Sequence, residues 1–492
     1  MFQLITLGAA GILVAAFLLL TKNTPEQRSR ILKIAALVFC TVGFVRQWFS
    51  DSIYLVINGA NFEGKYYEAT DNLQMIIRWG YFSIYSVLPM AVFSDRRIFK
   101  NVLSYINLPF ALLSLIYFND FMAYFNDSRA HGFHLPEGLR TAYFVLELTL
   151  AIAIPVALQI SERHLLRVKS VSEWSTLVFG TLGIIAVTMP SYLPQSIFGY
   201  YGIIPDRYKS YHIIWIATIL VITLAMYYLF RFRSYKDRYA LCLFLAIALF
   251  FHYNSLYLMG ITIKRLPFQL CNIAAYFLLL AVVFKWEKFF HFCFIANTVG
   301  TLFAILAPDF GYGEASFWNV HFLYEHTLVL MIPALAGGLR IFKRLDLKSL
   351  KYVAIGFASY FFFCFVSGTI LNGYSDITHE TVNYFYMFDL DIAFDYFPMF
   401  TFTEDYFFTI GRFTVYPLIV GIIFLGYSLL CFIYYLIVRI LYRFEDDHLA
   451  LRRSGIDLFE KITGKVSRRP KEFIDDDPAD NTVVTEADAA TA

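Results

Sequence analysis

The stretch FLYEHTLVLMIP, residues 322–333, places a glutamate and a histidine side by side within a run of apolar side chains. That apolar run extends over residues 320–338, close to the roughly 20 residues with which a helix crosses a hydrocarbon core of about 30 Å. Comparable runs recur along the whole chain. They lie at residues 2–20, 31–50, 74–94, 98–118, 140–160, 174–192, 211–231, 239–259, 266–285, 288–307, 320–338, 352–370 and 413–438.

The composition excludes an ordinary soluble protein. The 492 residues are 59% hydrophobic and only 16% charged, whereas soluble domains carry roughly a quarter charged residues. A transmembrane barrel would require short alternating segments, and the sequence contains long continuous apolar runs instead. The fold class expected is therefore all-α, a polytopic helical membrane protein with about thirteen transmembrane helices.

The connectors predict an orientation in the membrane. Loops after every odd-numbered span, with their border residues, hold 21 Lys and Arg, whereas the alternate loops hold eight. Because short cytoplasmic loops are enriched in Lys and Arg, the first set is expected on the cytoplasmic side. This places the N-terminus outside and the C-terminus in the cytoplasm. A cleaved signal peptide is the rival interpretation of residues 1–20, but no positive charge precedes its apolar run.

The sequence also indicates an internal duplication. FVLELTLAIAIP (residues 144–155) and FLYEHTLVLMIP (residues 322–333) agree at six of twelve positions without a gap. Two parallel six-helix repeats would follow one extra N-terminal helix, since an even number of spans preserves orientation. The domains expected are an extra transmembrane helix and loop (1–30), a degenerate repeat (31–237), a second six-helix unit (238–441) and a disordered cytoplasmic tail (442–492).

The second half carries polar groups that the first half lacks. His326 aligns with Leu148, and Cys271 aligns with Gly80. If their spans begin near residues 266 and 320, Cys271 and His326 lie at the same depth, roughly 8 Å below the outer surface. A thiol and an imidazole that meet there form a nucleophile and its base. The alternative readings are a cysteine that fills space in a helix and a histidine at the membrane interface.

Three ordered motifs resemble the YwaF-type integral membrane proteins of bacteria, which are related to eukaryotic transmembrane acyltransferases that remodel ether phospholipids. The motifs are L-P-x-x-L-C (residues 266–271), P-D-x-G-Y (residues 308–312) and F-x-x-x-H (residues 322–326). The resemblance covers residues 238–441 and implies a multi-pass protein of a bacterial plasma membrane. Two positions depart from the family pattern, since Asn272 replaces an acidic residue and Glu325 replaces a small one.

The resemblance implies that Cys271 is a nucleophile and His326 a base that move a fatty acyl group through a thioester. Membrane lipids are then the substrates, and neither a cofactor, a metal nor a nucleic acid is expected. Protein partners are not predicted. Side chains expected to supply a polar pocket around the pair are Gln269, Asn272, Asp309, His321 and Glu325.

Two other functions are compatible with this arrangement of spans and repeats. Parallel repeats are typical of transporters and flippases, and a membrane assembly protein without activity would also show these spans. The connector 371–412, with seven acidic residues and many aromatic ones, is a candidate cap over the pair, a cation-attracting vestibule or simple interfacial packing. In the first half, Glu147 is expected to form a structural ion pair with Arg78, because the two lie at similar depth.

Overall fold

A computed structural model describes most of the chain. The described residues are 1–21, 24–49, 69–94, 96–119, 135–162, 168, 170–198, 203–259, 261–308, 310–391, 394 and 398–464. The predicted site residue Asp309 and the tail beyond residue 464 lie outside them.

Helices dominate the described residues. The α-helices are α1 (Phe2–Leu20), α2 (Pro25–Phe49), α3 (Ala69–Phe82), α4 (Ile84–Phe93), α5 (Arg97–Val102), α6 (Leu108–Ile116), α7 (Glu137–Ser161), α8 (Val171–Val187), α9 (Tyr192–Phe198), α10 (Ser210–Phe230), α11 (Tyr235–Asn254), α12 (Leu270–Phe284), α13 (Glu287–Phe292), α14 (Thr298–Leu306), α15 (Phe317–Gly338), α16 (Leu347–Gly373), α17 (Ser375–Thr378) and α18 (Pro417–Thr463). Two five-residue π-helices connect α5 to α6 (Leu103–Asn107) and α13 to α14 (Cys293–Asn297). Short 3₁₀-helices are Ser255–Met259, Ile263–Arg265, Tyr384–Tyr386 and Pro398–Thr403, and one antiparallel hairpin joins β1 (Phe408–Ile410) to β2 (Phe413–Val415).

The predicted fold class is confirmed. Within the described part of the chain, 11 helical segments are long and apolar enough to cross a membrane. Two further predicted spans are shorter apolar helices, α8 and α12. The protein is therefore an all-α, multi-pass membrane protein.

The residues divide into two compact units. The first unit is Met1–Trp215, Leu243–Leu266 and Ala307–Leu328, and the second is Ile216–Cys242, Pro267–Leu306 and Val329–Ala492. Helices α10, α11 and α15 contribute residues to both. In the first unit, α1 and α2 pack against α7, and the Gln3 amide donates to the backbone carbonyls of Leu115 and Ile116 at 3.2 and 3.1 Å.

A buried ion pair lies in the core of the first unit. Arg46 Nε donates to Glu147 Oε2 at 2.6 Å, and the hydroxyls of Tyr81 and Tyr85 donate to Oε1 at 2.7 and 2.5 Å. The predicted partner of Glu147, Arg78, was therefore wrong, because spacing along a helix gives depth but not the direction in which a side chain faces. Every oxygen of this carboxylate is used, as a buried charge requires.

The two halves share one local succession of elements. A six-residue helix, a five-residue π-helix and a nine-residue helix follow one another at residues 97–116 and again at residues 287–306. In each copy the asparagine that ends the π-helix donates to a carbonyl of the preceding long helix: Asn107 to Gly80, and Asn297 to Leu270. The duplication remains a prediction, and this local match supports it.

The last helix continues beyond the predicted span. Helix α18 runs from Pro417 to Thr463, so residues 442–463 are helical where the sequence had been expected to begin a disordered tail. Charged contacts fix this extension in the second unit. Arg344 contacts both Glu445 and, at 2.7 Å, Asp446, and the hydroxyl of Tyr227 also donates to Glu445.

Candidate active site

Cys271 lies in the first turn of α12. The helix begins at Leu270 with Gln269 as its N-cap residue, four residues later than the predicted span. The free amide groups and the dipole of a helix N-terminus stabilise negative charge that develops nearby. The thiol is partly exposed and donates to Asn272 Oδ1 at 3.1 Å.

The backbone just before Cys271 is fixed by side chains of the second unit. Phe268 O accepts hydrogen bonds from the Tyr360 hydroxyl at 2.9 Å and from the Cys364 thiol at 3.3 Å. Leu270 O accepts from the Asn297 amide. These donors satisfy carbonyl groups that precede and begin the helix, so the thiol is held on a rigid support, as a reactive group requires.

The connector 371–412 contacts this segment through Asn383. Gln269 Nε2 donates to Asn383 O at 2.9 Å. Asn383 Oδ1 in turn accepts the backbone N–H groups of Phe388 and Asp389, both at 3.0 Å. Phe385, which lies between Asn383 and Phe388 in the sequence, has a φ of 53°, in the left-handed region that bulky residues rarely adopt. Residues 383–389 of the connector therefore form a hydrogen-bonded turn that contacts the N-terminal end of α12 within the second unit.

His326 lies on α15 in the first unit. Its Nδ1 is 2.8 Å from the carbonyl oxygen of Phe322, one turn earlier, and its ring centroid is 4.1 Å from that of Phe322. A carbonyl oxygen can only accept, so Nδ1 carries the proton and Nε2 keeps its lone pair. This is the tautomer that a general base requires.

Aromatic packing holds the Phe322 side chain in place. The rings of Trp215 and Phe310 lie 6.0 and 6.5 Å from it, centroid to centroid. Trp215 Nε1 also donates to Thr327 Oγ1 at 2.9 Å, which links α10 to α15 next to His326. The orientation of His326 is thus set by its own helix and by two packed rings.

The P-D-x-G-Y motif shapes the loop before α15. Arg207 Nε donates to Pro308 O at 2.7 Å, and Asn319 Nδ2 donates to Gly313 O at 3.1 Å and to Tyr312 O. The carbonyl groups of Pro308, Tyr312 and Gly313 are therefore bound by side chains that precede and follow them in the sequence, which fixes where α15 begins.

Two of the predicted pocket residues form an unexpected cluster in the first unit. His321 Nε2 is 4.0 Å from Glu325 Oε2, and both side chains are buried. His321 Nδ1 lies 3.4 Å from Ser191 Oγ, which is also 3.0 Å from His252 Nε2. Sequence reasoning missed Ser191 and His252. A histidine inside an apolar span was the signal for His252, whereas a single serine gives no signal at all.

The predicted residues thus fall into two groups. Gln269, Cys271 and Asn272 lie together in the second unit, and His321, Glu325 and His326 lie together in the first. The pairing of Cys271 with His326 stays a prediction. Among the residues that the structure describes, no group of three or more His, Cys, Asp or Glu side chains is placed to hold a metal ion.

Comparison with known proteins relates one part of the chain to a family. Neither a curated protein nor a solved structure matches the sequence. The model of the TMEM164 family matches residues 207–430, just under half of the chain. This range contains all three motifs and both Cys271 and His326, so the half with the candidate site is similar to the TMEM164 family of transmembrane proteins.

Proposed function

We propose that this protein is a membrane-embedded acyltransferase, or an acyl hydrolase, that acts on lipid esters through Cys271 and His326. The proposal is carried by the local environments of the Cys271 and His326 side chains, each of which suits its proposed role. Cys271 lies in the first turn of a helix, whose N-terminus stabilises developing negative charge, and the hydrogen bond from His326 Nδ1 to a carbonyl leaves Nε2 as the proton acceptor.

The proposed reaction has two steps. His326 Nε2 takes the thiol proton, and the sulfur of Cys271 attacks the carbonyl carbon of a lipid ester. The tetrahedral intermediate then releases the alcohol, which receives the proton from the imidazolium, and leaves a thioester on Cys271. In the second step an acceptor hydroxyl, or water in a hydrolase, attacks the thioester with its proton again passing to Nε2, and the thiol is restored.

A lipid substrate fits the surroundings of the thiol. Cys271 belongs to a short apolar helix, and exposed apolar side chains of the same helix, Leu280, Val283 and Phe284, offer a surface for acyl chains. The phenols of Tyr360 and Tyr427 lie within electrostatic range of the thiol. Each phenol donates its single proton to a backbone carbonyl, Tyr360 to Phe268 O at 2.9 Å and Tyr427 to Ala296 O at 2.8 Å, which holds both rings in place.

The protein is further proposed to reside in a bacterial plasma membrane, as its resemblance to YwaF-type proteins implies, with its N-terminus outside, as the Lys and Arg bias of its loops indicates. Cysteine-accessibility labelling in intact cells tests this orientation. A cysteine introduced at Met1 should react with an impermeant reagent, and one introduced at Thr463 should not. The reverse pattern would place the substrate on the opposite leaflet.

Labelling by an electrophilic acyl probe tests the chemistry. The full-length protein in lipid nanodiscs is treated with a fatty-acyl β-lactone, and adducts are located by mass spectrometry. We expect a hydroxylamine-sensitive thioester on Cys271, loss of the adduct in Cys271→Ser, and a rate about 10²-fold lower in His326→Ala. Cys40→Ser is the matched control, because Cys40 is the other partly exposed thiol among the described residues.

Labelling that persists in Cys271→Ser, or that His326→Ala leaves unchanged, would contradict the proposal. A transporter or flippase is then the competing function, which the repeated local structure favours. Movement of a labelled lipid across liposomes containing the protein, if both substitutions leave it intact, would identify that activity.

A further inference from the structure

A buried chain of polar side chains, partly joined by hydrogen bonds, lies in the first unit, apart from the proposed acyl-transfer chemistry. Ser191, His252, His321 and Glu325 come from three segments: the turn before α9, helix α11 and helix α15. Their exposed fractions are 0%, 1%, 5% and 4%. Ionisable groups inside a membrane protein are costly and commonly belong to functional sites.

The two histidine rings are held in parallel planes. The centroids of His252 and His321 are 5.1 Å apart with an angle of 12° between the planes. Tyr324 stacks on His252 at 4.9 Å, and Phe317 stacks on His321 at 5.5 Å. Each ring is therefore fixed by aromatic neighbours, and a change in hydrogen bonding must occur by moving protons instead of turning rings.

The hydroxyl of Ser191 couples the two rings. Its oxygen lies 3.0 Å from His252 Nε2 and 3.4 Å from His321 Nδ1. A hydroxyl has one proton, so it donates to one ring and accepts from the other. Two arrangements result: both rings carry their proton on Nε2, or both carry it on Nδ1.

The side chains at the two ends of this chain can each form a further hydrogen bond. Among the described residues, His252 Nδ1, His321 Nε2 and Glu325 Oε1 have no hydrogen-bond partner. His321 Nε2 is 4.0 Å from Glu325 Oε2, a gap that one water molecule or a rotation of the carboxylate closes. By contrast, Glu147, which aligns with Glu325, has both oxygens bound by Arg46, Tyr81 and Tyr85.

We propose that Ser191, His252, His321 and Glu325 form a proton relay that moves one proton between His252 Nδ1 and the Glu325 carboxylate. A proton arrives at His252 Nδ1, the Nε2 proton of His252 passes to Ser191 Oγ, and the Ser191 proton passes to His321 Nδ1. The proton on His321 Nε2 then passes to Glu325. His252, Ser191 and His321 each gain one proton and lose one, Glu325 gains one, and no bond between heavier atoms changes.

Neighbouring groups set the conditions of this relay. The backbone carbonyls of Met189 and His321 lie near the His252 ring, and His326 lies near His321. The titratable groups that face the two rings are Tyr253, Tyr324, Glu325 and His326.

Nitrogen NMR tests the coupling directly. In full-length protein labelled with ¹⁵N-histidine and held in nanodiscs, the signals of the two rings are assigned by their loss in His252→Gln and His321→Gln. We expect both rings to have the same tautomer, either both Nε2–H or both Nδ1–H. A mixed pair would overturn the proposal, and this measurement needs no change at Ser191.

Infrared spectroscopy after a pH jump tests the transfer. The carbonyl band of protonated Glu325, identified by its absence in Glu325→Gln, should appear about 10²-fold more slowly in Ser191→Ala, and Ser191→Thr should restore the rate. Ser114→Ala is the matched control, since Ser114 is equally buried and its hydroxyl donates only to Phe110 O at 2.8 Å. Equal rates in Ser191→Ala and the wild type, or no Glu325 band in the wild type, would refute the relay.

Discussion

Removal of Arg46 should destabilise the first unit strongly. The side chains of Arg46 and Glu147 are 6% and 0% exposed and are joined by hydrogen bonds of 2.6 and 3.2 Å. The substitution Arg46→Met keeps the length of the side chain but removes the guanidinium. The Glu147 carboxylate would then be buried with only Tyr81 and Tyr85 as donors.

The expected cost follows from the burial of the charge. Removing one partner of a buried ion pair costs about 3–5 kcal/mol, because the remaining charge is uncompensated, whereas replacing both partners with apolar residues is often close to neutral. We therefore expect Arg46→Met to lower the free energy of unfolding by about 3–5 kcal/mol. The double variant Arg46→Met, Glu147→Leu should recover most of that loss.

A surface ion pair of the same unit supplies the control. Arg97 Nη1 and Glu173 Oε1 are 3.0 Å apart, but their side chains are 36% and 40% exposed. Exposed pairs contribute about 0–1 kcal/mol, so Arg97→Met should have little effect on stability. Arg46→Met and Arg97→Met make the same substitution in an arginine–glutamate pair, and the two pairs differ in how deeply they are buried.

Reversible unfolding in mixed detergent micelles measures Arg46→Met, Glu147→Leu, their double variant and Arg97→Met beside the wild type. The double-mutant cycle isolates the energy of the pair from that of each side chain. The reasoning would be refuted if Arg46→Met and Arg97→Met had equal effects. It would also be refuted if the double variant lost the sum of the two single losses.

Three further predictions concern local packing. A Cβ at Gly80 would lie 2.2 Å from the ring of Phe110, so Gly80→Leu should lower the free energy of unfolding of the first unit by about 1–3 kcal/mol. The asparagine hydrogen bonds make Leu270, one residue before the Cys271 of the sequence alignment, the structural counterpart of Gly80, and Leu270 lies beside Gly300. The double variant Gly80→Leu, Phe110→Gly should therefore restore the folded yield, and failure to do so would contradict the duplication. Asn297→Ala removes the side-chain donor to the Leu270 carbonyl, which should lower the free energy of unfolding by about 1–3 kcal/mol. It should also slow the labelling of Cys271 by the acyl probe. Unchanged labelling would show that this hydrogen bond does not position the thiol. Asp346 caps α16 by accepting the Ser349 N–H at 2.7 Å, so Asp346→Ala should cost about 1 kcal/mol. Hydrogen bonds from Ser349 lower the pKa of Asp346. The contribution of Asp346 to the free energy of unfolding is therefore fully present above the unfolded-state pKa of about 3.9 and disappears as pH falls through the folded-state pKa. If Asp346→Ala lowered stability equally at every pH, the capping role would be contradicted.

The sequence alone determined the class of the protein and the position of its helices. Apolar runs long enough to cross a membrane are a local property, and each forms its helix because lipid leaves no other partner for the backbone groups. For the same reason, the shared motif at residues 144–155 and 322–333 was visible without a structure. Cys271 and His326 were found by their residue type and by the motifs around them.

Tertiary structure decided which side chains meet and where local elements begin. Depth along the helix favoured Arg78 as the partner of Glu147, but packing brings Arg46 to its carboxylate instead. The start of α12 at Leu270, which puts Cys271 at a helix N-terminus, depends on donors from distant segments such as Asn297 and Tyr360.

The Ser191, His252 and His321 cluster gives the clearest case of information that the sequence lacks. The three residues are separated by up to 130 positions, and the hydroxyl–imidazole contacts lie between segments with no common spacing. Periodicity gives the face of a helix that is apolar, but not the partner that covers it. Distances between side chains of different helices are set only when the helices pack, because that packing fixes the rotation of each helix about its own axis.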